Sequence, residues 1–360
     1  MSSNTSFTSR PGAVGTPPEH YGNPLGEQKA LAAGEAIVDL SDRAVISVTG
    51  PDRLSWLDSL TSQALIGLQP GDSAETLLLD PTGRLEHAIR VLDDGVTAWL
   101  LVDGAEGESL AAWLSRMVFM LRVEVAVSSL QAVGTLGVAS ASTLPAAAPN
   151  GVPLIWADPW SGVSAGGHQY ALVTQHPASD WTYREVLVEP GTDLSAFPAA
   201  GTLALEALRI AAWRPRLSTE VDEKSIPHEL DWLRSAVHLS KGCYRGQETV
   251  AKVHNLGHPP RRLVMLHLDG SEGVLPSAGA EVLLGDTVIG RVTSSALHFE
   301  SGPIALAVVK RNADTDAELT VRTDDLLIAA AQEVIVPPGA GAEANVPRLP
   351  RLGAVQRPSA

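Results

Sequence analysis

Residues 241–252, KGCYRGQETVAK, contain the single cysteine of a 360-residue chain. Cys243 lies between Lys241 and Arg245, with a glycine on either side of the Cys-Tyr-Arg triplet. In an extended segment, residues two apart share a face, so both cations would project with the thiol and stabilise its thiolate. The pattern predicts a functional thiol. The alternative is a small apolar side chain packed in a turn.

The residues that follow the cysteine can bind a polar ligand. Gln247 donates and accepts hydrogen bonds, whereas an ionised Glu248 only accepts them. This pair suits the edge of a planar ring such as a pterin, which presents both donors and acceptors, although the two side chains can instead cap backbone groups. Lys252 and the Arg261–Arg262 pair can attract an anionic tail such as a glutamate carboxylate.

Composition excludes several classes of function. The formal charge is −15, from 26 basic and 41 acidic residues, which argues against a broad nucleic-acid footprint. One cysteine forms neither an internal disulfide nor a CxxC metal set, and no apolar run approaches the roughly 18–20 residues of a membrane helix. We therefore expect a cytoplasmic protein. His254 and His258 have a helical spacing, but Gly257 interrupts it, and we predict no metal site.

The chain divides by composition into four segments. Residues 1–19 are rich in Ser, Thr, Pro and Gly and predict a disordered tail. Residues 20–261 mix helical and strand patterns in an α+β order, in two interleaved lobes, with strands such as ETLLLD and YALVTQ and a helix that ends near Pro215. Residues 262–337 predict a small β-barrel with a hairpin at Gly285-Asp286, and residues 338–360 a disordered tail.

Taken together, these motifs resemble the YgfZ family, folate-binding relatives of the glycine cleavage T-protein. KGCYRGQETVAK is similar to the signature K-G-C-[YF]-x-G-Q-E. LRIAAWRPRL resembles the L-R-[IL]-E-A-G-x-P helix of that superfamily, and SIPHEL resembles its I-P-x-E segment. The stretches VTGPDRLSWLDSLTSQAL, LLLDPTGRLEHAIRV and GHPPRRLVMLHL also fit, so the resemblance runs from about residue 20 to residue 337.

The resemblance implies a T-protein-like fold, with a ferredoxin-like lobe, a central folate cavity and a C-terminal β-barrel. It implies binding of tetrahydrofolate or a derivative. It also implies an accessory role in the assembly or repair of iron–sulfur clusters, which supports tRNA modification. The partners would be folate and iron–sulfur client enzymes or assembly factors. The residues that match the signature are Lys241, Gly242, Cys243, Tyr244, Gly246, Gln247 and Glu248, to which we add Lys252 and Arg209 as site residues.

Two departures from the T-protein pattern bear on catalysis. T-proteins carry an Asp-Asp pair in the strand that corresponds to GRLEHAIRV, whereas this strand has Glu86, His87 and Ala88 and no aspartate. The glutamate that holds the pterin in L-R-x-E-A-G corresponds to Ala211, and Trp213 stands where the glycine would be. We expect His87 to be a structural histidine, and Trp213 to stack on a planar ligand or to fill the core.

Three functions are compatible with these residues. The first is the folate-dependent accessory protein for iron–sulfur clusters, in which Cys243 is the functional thiol. The second is an aminomethyltransferase-like enzyme, a folate-dependent one-carbon transferase or demethylase, for which Glu86 and His87 are the visible acid–base candidates. The third is a folate-sensing module that binds a client enzyme through its barrel.

Overall fold

The computed structural model describes residues 5–271, 273–324 and 326–344. These residues form nine α-helices: α1 (Thr5–Thr8), α2 (Pro24–Ala32), α3 (Arg53–Leu60), α4 (Gly107–Met117), α5 (Val138–Thr143), α6 (Thr202–Ala211), α7 (Leu217–Glu220), α8 (Leu233–Ala236) and α9 (Gln247–Leu256). Before residue 201 they form ten strands: β1 (Ile37–Leu40), β2 (Arg43–Thr49), β3 (Ser73–Leu79), β4 (Leu85–Asp93), β5 (Thr97–Asp103), β6 (Glu124–Ser128), β7 (Gln131–Leu136), β8 (Ile155–Ala157), β9 (Tyr183–Val188) and β10 (Ala199–Ala200). After residue 260 they form six more: β11 (Arg261–Leu268), β12 (Glu281–Leu284), β13 (Thr287–His298), β14 (Gly302–Lys310), β15 (Leu319–Thr323) and β16 (Leu326–Val334).

The α+β region folds into two lobes. The first lobe has a five-stranded sheet of order β10-β1-β7-β9-β8, and the second has a five-stranded antiparallel sheet of order β3-β4-β5-β2-β6. The second lobe is inserted between β1 and β7 of the first. Its apolar residues on β2–β5 pack under α3 and α4, because alternate residues of each strand face those helices.

The remaining strands close a barrel of order β11-β14-β13-β12-β15-β16, in which β16 pairs back onto β11. Closure leaves these strands without free edges. The predicted hairpin is confirmed, because Leu284 pairs with Thr287 across the two-residue Gly285-Asp286 turn.

One apolar core joins the three units. It contains Trp99 of the second lobe, Trp156 of the first lobe and Met265 of the barrel. Trp213 belongs to this core with 1% of its surface exposed, and its Nε1 donates to Met265 Sδ at 3.0 Å. Trp213 has a φ of 56°, a left-handed conformation that favours glycine, which explains the glycine of the related motif at this position. Of the two roles expected for Trp213, the structure shows the core one.

The predicted N-terminal tail is wrong for residues 5–19. Phe7 is fully buried against the first lobe. Arg10 donates to the carbonyls of Phe197 and Leu194 at 2.6 and 2.7 Å. The segment is ordered because the Phe7 ring packs into the apolar core of the first lobe and the Arg10 guanidinium donates to two backbone carbonyls there.

The predicted C-terminal tail is also wrong for residues 338–344. Ala340 is buried, and the Glu343 N–H donates to the His254 carbonyl at 2.9 Å. The segment therefore satisfies carbonyls at the end of α9 that have no partner within the helix. The rest of the two predicted tails, residues 1–4 and 345–360, lies outside the described residues.

Candidate functional site

The signature loop, residues 241–252, lies on the turn between β3 and β4. Gly246 has a φ of 83°, and a Cβ there would lie 2.7 Å from the Asp80 carbonyl oxygen. Gly83 of the same turn packs against Thr249. The glycine of the signature is therefore required by close packing, and α9 begins at the next residue.

Lys241 stabilises the polypeptide around α3. Its side chain is 3% exposed, and its Nζ donates to the carbonyls of Thr61 and Gln63, each at 2.8 Å, and to that of Asp58. Burial lowers the pKa of Lys241, and the Asp58 carboxylate partly offsets this effect. The ammonium group is thus held by groups within the protein.

Arg245 also has partners away from the thiol. Its guanidinium pairs with Glu86 of β4 at 2.7 Å and lies 5.8 Å from the ring centre of Trp113. The loop contains no strand between Lys241 and Arg245. The expectation that both cations would share an extended face with Cys243 is therefore wrong, because each is drawn to a carboxylate or carbonyl on the second lobe.

The other signature residues divide into buried and exposed groups. Cys243 is exposed, and Gly242 faces open space. Tyr244 is buried, with Lys241 Nζ 5.3 Å from its ring centre. Gln247 donates to the Lys241 carbonyl at 3.3 Å. Exposure of Cys243 excludes, for this structure, the alternative of a cysteine packed in the core. Glu248 and Lys252, the two charged residues at the start and middle of α9, are also exposed.

A cavity of about 310 Å³, here called the interlobe cavity, lies where the two lobes meet α6. Charged, apolar and small polar residues line it; they are Arg43, Arg90, Arg209, Arg214, Arg216, Asp42, Asp158, Glu19, Glu206, Thr16, Thr202, Pro17, Pro215, Leu40, Leu205, Trp181 and Tyr183. Of the site residues predicted from the sequence, Arg209 lines the cavity. Among the residues described, none of 241–252 does.

Charged residues that line the interlobe cavity belong to a buried ion-pair network. Arg209 pairs with Glu206 of α6 and with Glu220 of α7, at 2.5 and 2.9 Å. Arg214 pairs with Glu75 and Asp158 at 2.6 and 3.0 Å. Burial opposes the charge of Arg214, but Asp158 and Glu75 outweigh it and hold its pKa above the usual value.

Two stacked aromatic side chains form a wall of the interlobe cavity. The rings of Trp181 and Tyr183 stack with their centres 5.2 Å apart, and Trp181 Nε1 donates to Asp158 Oδ2 at 2.8 Å. Leu205 and Pro215 extend the apolar surface. Such a wall beside buried guanidinium groups suits a flat, polar-edged ligand.

A second, much smaller cavity, here called the gap, lies beside the interlobe cavity on the side of the second lobe. It holds only about 10 Å³ and shares Arg90, Arg214, Pro215 and Arg216 with the cavity; its other lining residues are Glu75, Ala88, Asp103, Glu106, Leu217 and Trp232. Ala88 and Arg90 share one face of β4, but a register shift between Leu78 and Leu79 of β3 leaves Glu86 unpaired and interrupts the alternation there. β4 carries both Glu86, which pairs with Arg245 of the signature loop, and Arg90, which lines the interlobe cavity; the two residues are four positions, or about 13 Å, apart along the strand.

Glu106 is a functional candidate that the sequence reasoning missed. It lies just after β5, lines the gap, and its Oε2 is 2.7 Å from His87 Nδ1. The hairpin of β4 and β5 pairs Arg90 with Leu101, so the same register places His87 level with Gly104, two residues before Glu106. Aligning the two predicted strands as a hairpin would have placed His87 and Glu106 close together.

The two histidines with helical spacing have structural partners. His254 Nδ1 lies 3.1 Å from the Tyr170 hydroxyl, and His258 Nδ1 lies 2.8 Å from the Ala340 carbonyl oxygen. Helix α9 ends at Leu256, between them. Among residues 5–344 as described, no three His, Cys, Asp or Glu side chains are grouped so as to hold a metal ion.

Two α+β lobes that meet at an interlobe cavity, together with a closed six-stranded barrel, form the glycine cleavage T-protein-like fold, and this confirms the predicted fold class. The crystal structure of the glycine cleavage system aminomethyltransferase T from Bartonella henselae matches it with a TM-score of 0.71. The match covers 92% of this chain and 95% of that chain, at 18% sequence identity. A structural match at this low sequence identity establishes the fold alone.

Sequence comparison gives the family. A family model described as the glycine cleavage T-protein C-terminal barrel domain matches residues 261–337. The aminomethyltransferase of Rippkaea orientalis is 30% identical over 321 residues, 79% of this chain and 81% of that protein. The tRNA-modifying protein YgfZ of Vibrio vulnificus is 25% identical over 287 residues, 77% of this chain and 84% of that protein. The chain belongs to the glycine cleavage T-protein family, and its predicted similarity to YgfZ is confirmed.

In the part of the chain that the structure describes, no helix is both long enough and apolar enough to span a membrane.

Proposed function

We propose that this protein binds tetrahydrofolate or a derivative in the interlobe cavity. The observation that carries the proposal is the cavity itself, which sets the Trp181–Tyr183 wall against buried arginines in a T-protein-like fold. A reduced pterin is flat and has both donors and acceptors on its edge, so it matches such a lining. The guanidinium groups of the cavity suit the glutamate carboxylates of folate.

The role we propose is that of an accessory protein in iron–sulfur cluster assembly or repair. Cys243 is exposed on a loop that is fixed to the second lobe by Lys241 and by the Arg245–Glu86 pair. A fixed, exposed thiol suits contact with a client enzyme or an assembly factor.

Two measurements test the proposal. Isothermal titration calorimetry with tetrahydrofolate tests binding, and we expect saturable binding that also raises the melting temperature as ligand exceeds Kd. Deletion of the gene, followed by assays of iron–sulfur enzymes, tests the role. We expect wild-type protein to restore those activities and Cys243→Ala not to. Absence of heat and of a thermal shift at millimolar tetrahydrofolate would refute folate binding.

Folate-dependent one-carbon transfer is the second candidate, and the His87–Glu106 pair is the observation that favours it. The pair lies beside Ala88, in the strand where T-proteins carry their aspartates. A histidine held by a carboxylate is a common acid–base arrangement. Formation of methylene-tetrahydrofolate or formaldehyde from methylamine substrates would establish this function, and its absence with folate-loaded protein would exclude it for those substrates.

A further inference from the structure

Strand β6 is an open edge of the second-lobe sheet. It is the last strand in the order of that sheet, and within the described part of the chain β2 is its only strand partner. An edge strand has free backbone N–H and C=O groups on its outer side, which proteins usually protect with proline, lysine or a bulge. β6 contains neither proline nor lysine, and it pairs with β2 over all five residues without a register shift. Its outer edge can therefore accept another strand.

The side chains of β6 are also uncovered. Val127 is 58% exposed, although valine is typical of strands that are at least half buried. Glu124 and Ala126 are exposed as well, whereas Val125 packs partly against the apolar core of the second lobe. The described part of the chain thus leaves most of this short strand open to solvent.

A run of exposed apolar residues precedes β6. Between Met117 and Leu121, the side chains of Phe119 and Met120 are 79% and 90% exposed. Met120 has a φ of 53°, a left-handed conformation that residues other than glycine seldom adopt. Single exposed apolar residues are common, but a continuous exposed run indicates an interaction site. Because the run leads directly into β6, residues 117–128 form one surface, here called the β6 surface.

We propose that the β6 surface binds the same surface of a second copy of this chain, with the two β6 strands antiparallel and centred on Ala126. This register sets Val125 opposite the partner's Val127 and Glu124 opposite the partner's Ser128. Apolar side chains then face each other, and no two like charges are opposed, which is the arrangement that stabilises a strand pair. The surface is therefore complementary to itself, as a twofold interface requires.

The charges of the β6 surface favour the antiparallel orientation. Its charged residues are Arg122 and Glu124, and Arg122 pairs with Asp52 at 2.6 Å. A parallel pair in register would bring the two Glu124 side chains to within about 5 Å of each other. The antiparallel pair separates them by four residues, or about 14 Å, which exceeds the Debye length of about 8 Å at physiological salt.

The apolar run adds area that the strand alone lacks. Five residues of strand span about 17 Å and would bury only part of the roughly 800 Å² per partner of a stable interface. In the antiparallel pair, the run of each copy lies beside the end of the partner's β6. A lipid surface is the less suitable occupant, because the formal charge of −15 repels anionic headgroups. Dimerisation through this surface does not depend on folate binding.

Sedimentation equilibrium of the full chain tests the association. We expect a reversible dimer with a Kd on the order of micromolar. Val127→Lys should weaken it about tenfold or more, because each copy would bring an ammonium group against the apolar centre of the pair. Leu327→Lys is the matched control: Leu327 is 65% exposed on β16, in the closed barrel, so this variant should associate as wild type does. Phe119→Ser, outside any strand, should also weaken the dimer.

Thiol cross-linking tests the register. In a Cys243→Ala background, which removes the chain's only cysteine, Ala126→Cys should form an intermolecular disulfide on mild oxidation. Facing Cα atoms of an antiparallel pair are about 4.5–5.5 Å apart, within the range of a disulfide. Glu124→Cys in the same background should not cross-link, because the two cysteines would be about 14 Å apart.

Several results would overturn the proposal. A wild-type protein that sediments as a monomer up to about 0.1 mM does not form this dimer. A dimer that Val127→Lys and Phe119→Ser leave unchanged has its interface elsewhere, and cross-linking by Glu124→Cys in place of Ala126→Cys contradicts the register. Monomers that bind phosphatidylglycerol vesicles, and lose this binding in Phe119→Ser, would assign the apolar run to a lipid surface. Thermal melting of each variant shows that it is folded, and the two variants test the same surface independently.

Discussion

Arg214 Nη2 lies 2.6 Å from Glu75 Oε1, and this contact joins the segment after α6 to β3 of the second lobe. Both side chains are almost completely buried, and Arg214 also reaches Asp158 of the first lobe. The guanidinium therefore holds two carboxylates from two lobes at the point where the interlobe cavity meets the gap. The geometry of the cavity depends on this ion triad.

Glu75→Gln should strongly destabilise the protein. Glutamine has nearly the shape of glutamate, but its neutral amide leaves the buried charge of Arg214 with Asp158 as its remaining carboxylate partner. Breaking one partner of a buried ion pair typically costs about 3–5 kcal/mol. Denaturant unfolding of the variant measures the loss. Glu281→Gln is the control, because its pair with Arg322 is nearly half exposed and should change the free energy of unfolding by less than about 1 kcal/mol. Equal stability of wild type and Glu75→Gln would show that the triad does not support the fold.

Asp231 should make stability depend on pH. It is fully buried, and burial raises its pKa to about 7, although the N–H groups of Tyr170 and Ala171 and the charge of Arg234 oppose the rise. The native state then holds a proton that the unfolded chain, with a pKa near 3.9, releases. The contribution of Asp231 to the free energy of unfolding is fully present below about pH 4 and is lost as the pH rises toward 7.

The asparagine variant isolates that contribution. Asp231 has a left-handed φ of 54°, which asparagine tolerates, so Asp231→Asn removes the titration without straining the backbone. The free energy of unfolding of the variant, relative to wild type, should improve between pH 5 and pH 8 by on the order of 2 kcal/mol. Other titrating groups cancel in this difference. A difference that does not change with pH would place the pKa of Asp231 below that range.

The sequence predicts the local elements of this fold well. β3, β4 and β5 follow from alternating apolar residues between turn dipeptides, and the Gly285-Asp286 hairpin follows from turn chemistry. YALVTQ shows where local pattern fails: we predicted a strand, but residues 170–175 form none. The N–H groups of Tyr170 and Ala171 donate instead to the Asp231 carboxylate, 61 and 60 residues away in the chain, and no local pattern encodes that partner.

The candidate site was harder to predict than the fold. The signature identified the family, yet Lys241, Tyr244 and Gly246 hold the loop in place and do not line the cavity. The lining of the interlobe cavity comes from positions between 16 and 216, and most of its charges pair with one another across lobes. These long-range pairings decide which carboxylates are paired with arginines and which are not, so the sequence spacing of the carboxylates does not predict it.

Lys241→Met should destabilise the protein while leaving ligand affinity unchanged. The variant keeps the aliphatic stem but leaves the carbonyls of Thr61 and Gln63 without their donor, which costs about 1–3 kcal/mol. Lys252→Met is the matched control, because Lys252 is exposed and its loss should change stability by less than about 0.5 kcal/mol. Weaker tetrahydrofolate binding by Lys241→Met, with an unaltered melting temperature, would show that Lys241 contributes to ligand binding.

Cys243 should react with iodoacetamide in the native protein. Its side chain is exposed and Gly242 leaves open space beside it, so modification requires no unfolding. Mass spectrometry of samples quenched over time, with and without urea, gives the two rates, which should differ by less than about tenfold. A truly buried thiol would react only through opening, at a rate reduced by the opening equilibrium.

Cys243→Ala should separate stability from function. An exposed side chain contributes little to the fold, so the free energy of unfolding should change by less than about 0.5 kcal/mol. Tetrahydrofolate affinity should also be unchanged, because none of the described residues 241–252 lines the interlobe cavity. Restoration of iron–sulfur enzymes in the deletion strain should nevertheless fall, since the proposed role requires the thiol at the protein surface. If the variant melts early yet restores those enzymes fully, the cysteine serves packing, and the thiol has no part in cluster maintenance.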